Sequence, residues 1–269
     1  MLEKKDLLEA RLADALEKSR KGRVASLSFL TPQEQKRAER LLRSWGVWEC
    51  AWCWGGYEGA ERATLFLLPD YLLECLPLPI DQCTKEELLL LLGESADEIT
   101  ALRISGSGFR KLSHRDYLGT LMGLGLERDS FGDIAVQNES EAVVFLTPAI
   151  ASFLQTQLER VGGDAVRVSL YQPDGAFTDG RHYAPMTVTV ASMRLDCVVA
   201  ALTDLSREVA QTAIRSGLVE LNFEAEERAD LSISVPATLS VRGYGRYLLR
   251  SLAGETRKGR LRLLADKLI

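Results

Sequence analysis

The chain has 269 residues, of which 46% are hydrophobic and 26% charged, and its formal net charge is −5. These values are ordinary for a globular protein, and the length suffices for two or three small domains. No apolar run approaches the ~20 residues that a membrane-spanning helix needs, and residues 1–6 lack the apolar core of a signal peptide. We therefore expect a cytoplasmic protein with no membrane partner.

The first segment, residues 1–82, has the pattern of a small α/β unit. A helix is predicted over 3–20, and a second begins after Thr31, with Pro32 at its first position and Glu34 completing a capping box. This helix runs to about residue 44. Strands are predicted over 47–54 and 63–68, joined by a turn over 55–59, and three prolines mark a loop after the second strand.

The central segment, residues 83–172, has the order β-α-β-β-α-β. Its four strands and two helices are predicted over 99–105, 113–126, 133–137, 142–147, 148–160 and 165–171, with Gly162 and Gly163 ending the second helix. This order is typical of the ferredoxin-like, RRM-like fold. The aromatic sheet motif of RNA-recognition domains is not evident in it. A connector follows over 173–185.

The last segment, residues 186–269, begins with two short helices. Apolar residues at helical spacing from Leu195 to Leu202 predict the first, and Ser206 and Gly217 are the expected cap and stop of the second. On the second helix, four-residue spacing predicts one polar face for Arg207, Gln211 and Arg215, and a core-facing side for Val209, Ala210, Ala213 and Ile214. Strands are predicted over 218–223, 231–235, 239–241, 247–252 and 259–264. The whole chain is predicted to be α+β.

Positive charge is concentrated near the C-terminus. Residues 191–269 carry 12 Lys and Arg against 10 Asp and Glu, a net +2, so the remainder carries −7. Residues 242–262 contain seven basic residues and one acidic residue, Glu255. Gly243, Tyr244 and Tyr247 lie between the basic residues in the sequence. We interpret this basic stripe as a surface for a polyanion, with rings available for stacking on bases. The alternative is a solvated basic face with no partner.

The order of motifs over 193–196, 205–207, 214–219 and 240–246 resembles the S4 RNA-binding domain, here of the αL type. The resemblance implies RNA contacts at Arg194, Ser206, Arg207, Arg215 and the 242–246 loop. Gln211 is added because it shares the polar helix face, and Lys258 and Arg260 because they belong to the basic stripe. The candidate RNA-binding residues are therefore Arg194, Ser206, Arg207, Gln211, Arg215, Arg242, Tyr244, Arg246, Lys258 and Arg260.

Unusual strings elsewhere extend the resemblance to most of the chain. They lie at 55–62, 69–71, 112–119, 123–126 and 132–134. With the S4 pattern they resemble the YlmH family over residues 25–262. The resemblance implies an RNA-binding factor that joins stalled large ribosomal subunits and contacts ribosomal RNA and peptidyl-tRNA during rescue. The family is tied by name to cell division, so cell-division or quality-control proteins are further partners to consider. Pro236 and Ala237 replace a Gly-Asp pair that family members commonly carry.

Catalysis and metal binding are weaker hypotheses. Cys50 and Cys53 have the spacing of a metal or redox pair, but no second such pair follows, so buried thiols are favoured and no metal or cofactor is expected. His114 is interpreted as part of a helix start capped by Ser113 rather than as a catalytic base. The enzyme alternative is an S4-linked pseudouridine synthase using the Arg-Leu-Asp string at 194–196, and a third hypothesis is a protein-binding adaptor for cell division.

Overall fold

The computed structural model describes residues 2–93 and 98–269. The chain folds into two compact units, Met1–Gly180 and Arg181–Ile269. The chain combines helices with several antiparallel sheets, so the fold is α+β, as predicted. The division of the first unit into two domains at residue 82 stays a prediction. Among the helices in the described part of the chain, none is both long and apolar enough to cross a membrane.

The first unit begins with a three-stranded sheet in the order β1-β3-β2. Its elements are α1 Leu2–Arg20, β1 Ala25–Leu30, α2 Pro32–Ser44, β2 Ala51–Trp54, β3 Ala63–Leu67, α3 Asp70–Leu73 and α4 Lys85–Leu92. Helix α2 starts as predicted, because the Thr31 hydroxyl accepts from the Glu34 amide at 3.2 Å and Glu34 accepts from the Thr31 amide at 2.8 Å. Leu12, Leu42 and Leu65 are fully buried between the helices and the sheet.

One prediction for this region is wrong, and three elements were missed. The strand expected over 47–54 is shorter, since Trp48–Cys50 forms a 3-10 turn. Helix α2 ends just before this turn, where the Val47 amide donates to the Leu42 carbonyl and Gly46 has φ +69°. The chain has not yet reversed direction at residue 47, so residues 48–50 complete the turn before β2 begins. Strand β1 and helices α3 and α4 were not predicted, and α4 begins at a capping box of Thr84 and Glu87.

The second sheet of the first unit has the order β5-β6-β4-β8-β7, with all neighbours antiparallel. Its elements are β4 Thr100–Gly106, α5 His114–Gly123, β5 Phe131–Asn138, β6 Glu141–Leu146, α6 Pro148–Gln157, β7 Arg160–Val161 and β8 Asp164–Tyr171. Leu102, Ile104 and Val144 pack with Tyr117 of α5 and Leu154 of α6 on one face. The predicted order of elements is therefore present, and the two helices cover the same side of the sheet.

Helix α6 ends three residues earlier than predicted. Gly162 and Gly163 do not stop the helix but form the turn between β7 and β8, with φ +54° and +91°. Glycine tolerates these positive φ values, which a side chain would strain. This turn brings the start of β8 to the same end of the sheet as the loop after β4.

The second unit holds a six-stranded antiparallel sheet in the order β11-β10-β12-β13-β14-β9. Its elements are β9 Tyr183–Val190, α7 Leu195–Thr203, α8 Arg207–Arg215, β10 Val219–Leu221, β11 Glu224–Ala225, β12 Ala237–Val241, β13 Gly245–Glu255 and β14 Leu261–Leu268. The core packs Val198 and Leu202 of α7 and Ile214 of α8 against Tyr247 and Leu263 of the sheet.

Three expectations for this unit are corrected. The segment 231–235 is not a strand and makes one isolated bridge, between Ser232 and Arg194. Instead, the carbonyls of Leu231 and Ala229 accept from the first amides of α7, at 2.8 and 3.0 Å, which satisfies the free donors of that helix end. Val209 is 49% exposed rather than in the core. Strand β9 begins at Tyr183, inside the predicted connector.

Candidate RNA-binding surface

A single buried carboxylate organises the polar side of α7 and α8. Asp196, on the first turn of α7, has a fully buried side chain. Its Oδ2 atom accepts from Arg194 Nη2 at 3.1 Å, from Arg207 Nε at 3.0 Å and from Gln211 Nε2 at 2.7 Å. Arg194 Nε also donates to Oδ1, at 3.2 Å. Three of the predicted RNA-binding side chains therefore meet at one acceptor.

Burial alone raises the pKa of Asp196, but the hydrogen bonds from Arg194, Gln211 and Arg207 outweigh it and hold the pKa well below its ordinary value. A carboxyl with a lowered pKa stabilises the fold above its unfolded-state pKa of about 3.9, and that contribution is lost as the pH falls through the folded-state pKa. Asp196 is therefore ionised at neutral pH. Arg194 and Arg207 together carry one positive charge more than Asp196, and Asp230 is a further acid near Arg194.

The arginines are held without being covered. The Arg207 side chain is 55% exposed although its Nε donates to Asp196, so most of its guanidinium donors face solvent. A charged hydrogen bond fixes this side chain before any ligand arrives, which lowers the entropy cost of binding. The arrangement suits a phosphate or the edge of a base.

Ser206 and Gly217 frame α8 as the sequence predicts. The Ser206 hydroxyl accepts from the Val209 amide at 3.3 Å, and Gly217 has φ +67°. Ser206 is thus placed as a helix cap, and an RNA contact by its hydroxyl stays a prediction. Arg215 is exposed on the last turn of α8.

The predicted basic stripe is not one surface. Arg242 and Tyr244 lie in the turn between β12 and β13, whereas Lys258 and Arg260 lie in the turn between β13 and β14. These turns are at opposite ends of β13, which has 11 residues. At about 3.3 Å per residue, roughly 30 Å separate them. The prediction of one continuous stripe is therefore wrong.

The end of the predicted stripe that holds Lys258 and Arg260 lies close to Arg207. Arg260 Nη2 donates to the Thr189 carbonyl at 3.0 Å. Arg260 and Arg207 line one open cleft of about 480 Å³, together with Cys197 and Asp204. Lys258 is exposed two residues away in the same turn. This end of the unit therefore combines Arg207, Arg260 and Lys258.

The end of the predicted stripe that holds Arg242 and Tyr244 lies beside the C-terminal end of α8. The Arg242 amide donates to the Leu218 carbonyl at 2.9 Å, three residues after Arg215. Tyr244 is exposed. Arg246 is half-buried, with its guanidinium 5.2 Å from the centre of the Phe223 ring.

Tyr247 does not serve as a stacking ring. It is fully buried in the core, and its hydroxyl donates to the Tyr244 carbonyl at 3.2 Å. The alternation of the strand explains this, because Tyr247 and Leu249 point inward while Arg246 and Arg250 do not.

The strings at 55–62 and 132–134 form one contact within the first unit. Asp133, which is 6% exposed, accepts from the Tyr57 hydroxyl at 2.8 Å and from the amides of Glu61 and Arg62 at 2.7 and 3.2 Å. The Tyr57 ring also stacks on Phe145, at 4.9 Å. These residues fill the face of the second sheet opposite α5 and α6. Their role in the structure is to join the two sheets.

The other motifs also have structural roles. Ser113 and Asp116 form the predicted capping box of α5, with Asp116 Oδ2 accepting from the Ser113 amide at 2.8 Å. Burial raises the pKa of the Cys50 thiol and raises that of Cys53 to about 12, which makes both poor nucleophiles at neutral pH. Within residues 2–93 and 98–269, no three His, Cys, Asp or Glu side chains are placed to hold a metal ion.

Comparison with known proteins identifies the family. Residues 96–173 match a family described as the putative RNA-binding domain in YlmH. The chain is 31% identical over 214 residues to the ribosome-associated protein quality control protein P2 of Bacillus subtilis (strain 168), covering 79% of this chain and 76% of that protein. The chain belongs to the YlmH family, as its sequence strings predict. A solved structure, cell division protein ylmH from Streptococcus pneumoniae, aligns with a TM-score of 0.46 and 20% identity over 62% of this chain and 91% of the other.

Sequence reasoning missed the role of Asp196, which it considered only as part of the Arg-Leu-Asp string. One signal was present: an acidic residue beside Leu195, on a helix whose neighbours Val198, Val199 and Leu202 are all buried. An acid at such a position needs donors. Arg194 supplies two of these hydrogen bonds from the position just before α7. The other donors, Arg207 and Gln211, come from α8, which follows a separate turn.

Proposed function

We propose that this protein is a non-catalytic RNA-binding factor of the cytoplasm that associates with structured RNA on the large ribosomal subunit, in rescue of stalled nascent chains. Ribosomal RNA and peptidyl-tRNA are its proposed ligands, and quality-control or cell-division proteins its further partners. The name of the Bacillus subtilis relative and the description of the family matched by residues 96–173 support a ribosomal, RNA-binding role.

The observation that carries the proposal is the carboxylate of Asp196, which orients Arg194 and Arg207 while leaving the Arg207 side chain 55% exposed. We propose that the second unit is an S4-type domain and that this surface is its RNA contact. We also propose that β4, α5, β5, β6, α6 and β8 form a split βαβ fold. Its strand order, with β4 and β6 central, supports this.

The burial of Asp196 supports a non-catalytic role. A pseudouridine synthase needs an aspartate that reaches the target base, whereas this carboxylate is buried and ion-paired with Arg194 and Arg207. We expect no turnover when the purified protein is incubated with ribosomal RNA, tRNA, ATP and GTP and the products are examined by mass spectrometry. A modified base or hydrolysed nucleotide that disappears in Asp196→Ala or His114→Ala would contradict this expectation.

The proposal is tested by replacing Arg207 and Arg215 together with alanine. In lysates fractionated on a sucrose gradient, the wild-type protein should co-sediment with free large subunits, more so when nascent chains are stalled. The double variant should move to the top of the gradient. With purified ribosomal RNA, the slope of log affinity against log salt should fall by about 0.7–0.9 for each lost phosphate contact.

A matched control loses the same charge elsewhere in the second unit. Arg228 and Arg250 are ion-paired with Glu226 and Asp266, at 3.0 and 2.6 Å. Their double alanine variant should stay bound to subunits. The proposal is wrong if both double variants sediment alike, or if the wild-type protein binds random duplex RNA as tightly as large subunits at physiological salt.

A further inference from the structure

The loop between β4 and α5 is fixed at both ends. The Gly106 amide donates to the Ser140 carbonyl at 2.7 Å, and the Leu112 amide donates to the Glu139 carbonyl at 2.7 Å. The Leu112 side chain is buried in the core under α5. Both ends of the loop are therefore tied to the turn between β5 and β6.

The tip of this loop is also held in place. Asp164, at the start of β8, accepts from the Ser107 amide at 2.9 Å and from the Ser107 hydroxyl at 2.5 Å. The Phe109 amide donates back to the Ser107 hydroxyl at 3.3 Å, and Gly108 between them has φ +83°. The hydroxyl of Ser107 lowers the pKa of Asp164, which keeps this acceptor ionised. The loop is an ordered turn with its own anchor.

Phe109 projects from this anchored turn with 99% of its surface exposed. Single exposed apolar side chains are common, but burying a phenylalanine contributes about 1.5–3 kcal/mol to folding. Here, a turn with several specific hydrogen bonds holds the ring entirely in water. The fold gains nothing from the ring, so a ligand is the simplest reason for its place.

The residues around Phe109 indicate the kind of ligand. Residues 104–115 contain Arg110, Lys111 and Arg115 and no Asp or Glu. The nearest acids are committed to local structure. Asp164 accepts from Ser107, Asp116 accepts from Ser113 in the cap of α5, and Glu139 pairs with Lys111. An exposed ring with adjacent cations is the usual arrangement for stacking on an unpaired base whose phosphates are contacted nearby.

We propose that the 107–111 loop is a second RNA contact, in which the Phe109 ring stacks on one unpaired base while Arg110, Lys111 and Arg115 face the adjacent phosphates. The proposal rests on the proposed function, that this chain binds RNA. It adds a site in the first unit, within the matched residues 96–173, that the predicted contacts of the second unit do not include. Because acids partly offset the cations, stacking rather than charge should dominate here.

The test measures the affinity of the full-length protein for deproteinised large-subunit ribosomal RNA. Phe109→Ala should weaken binding about tenfold, the low end of the range for one stacked base. The salt slope should not change, because no charge is removed. Phe109→Trp should bind at least as tightly as wild type, and Phe109→Leu should be as weak as alanine, since leucine keeps an apolar side chain but has no ring to stack. Ultraviolet crosslinking should attach RNA to the tryptic peptide 104–110, whose one aromatic residue is Phe109.

Leu90→Ala is the control, because Leu90 is an 84% exposed apolar side chain on α4. It should bind RNA as wild type does. The proposal is overturned if Phe109→Leu keeps full affinity, which would show that the contact does not need an aromatic ring, or if Phe109→Ala binds like wild type. If Phe109→Ala is unchanged while the Arg207 and Arg215 double variant is weakened, this proposal alone fails. If the wild-type protein binds no RNA, the proposed function fails as well.

Discussion

Replacing Asp133 with alanine is expected to destabilise the first unit by about 3–5 kcal/mol, the cost of breaking a buried charged network. Three donors converge on this carboxylate: the Tyr57 hydroxyl and the amides of Glu61 and Arg62. Alanine leaves all three without this acceptor in a region where water has little access. Since domains are stable by only about 5–15 kcal/mol, the loss should be a large part of the total.

The measurement is unfolding in urea followed by tryptophan fluorescence. All four tryptophans lie at 45–54, in the first unit, so the signal reports on that unit alone. Asp129→Ala is the control, because the Asp129 side chain is 54% exposed and lies 3.9 Å from Arg11. It should change stability by no more than about 0.5 kcal/mol. Equal urea midpoints for Asp133→Ala and wild type would show that the network does not hold the sheets together.

This network also explains why the glycines of the 55–62 string are needed. A Cβ atom on Gly55 would lie 2.3 Å from the Ala60 side chain, and one on Gly56 would lie 2.4 Å from the Phe145 ring. Gly56 also has φ +98°. The chain can pass between the two sheets at this point only without side chains, so the string serves the fold rather than a phosphate loop.

Features set by local physics were predicted well. The capping boxes at Thr31 and Ser113 fix the starts of α2 and α5, because the cap and its partner lie three residues apart in sequence. Strand β1 was missed although its serines alternate with apolar residues over six positions, which is a strand pattern. The strand predicted at 231–235 failed because the Leu231 carbonyl accepts from the first turn of α7 and the Ile233 amide donates to the Met193 carbonyl, so the segment does not pair along a neighbouring strand. That choice depends on tertiary packing.

The candidate site was also predictable only where local sequence spacing determines it. The shared face of Arg207 and Gln211 follows from helical spacing, and both side chains do reach one acceptor. That the acceptor is Asp196 depends on the docking of α7 against α8, which spacing does not reveal. The basic stripe failed because β13 separates its two turns, so residues close in sequence lie far apart in space.

Replacing Asp196 with asparagine is expected to weaken RNA binding although it removes a negative charge from the binding surface. The amide group keeps the shape of the carboxylate but turns one acceptor atom into a donor that faces Arg207 and Gln211. Arg194 and Arg207 then lose their fixed orientation. Ordering each of them on binding costs about 0.5–1.5 kcal/mol, so the affinity should fall about tenfold.

The control for this prediction is Asp266→Asn, which makes the same charge change in the same unit. Asp266 accepts from Arg250 at 2.6 Å and touches neither Arg194 nor Arg207. It should bind RNA as tightly as wild type or slightly more tightly, because the surface gains positive charge. Affinities are compared at one salt concentration, at pH 7, where the lowered pKa of Asp196 keeps the wild-type carboxylate ionised. Far-ultraviolet circular dichroism at the same temperature checks that both variants are folded.

If both variants bind more tightly by the same factor, net charge alone governs binding and the orientation of the arginines by Asp196 has no part in it. If Asp196→Asn alone is weaker, the buried carboxylate acts as a positioning group for the arginines that meet the RNA.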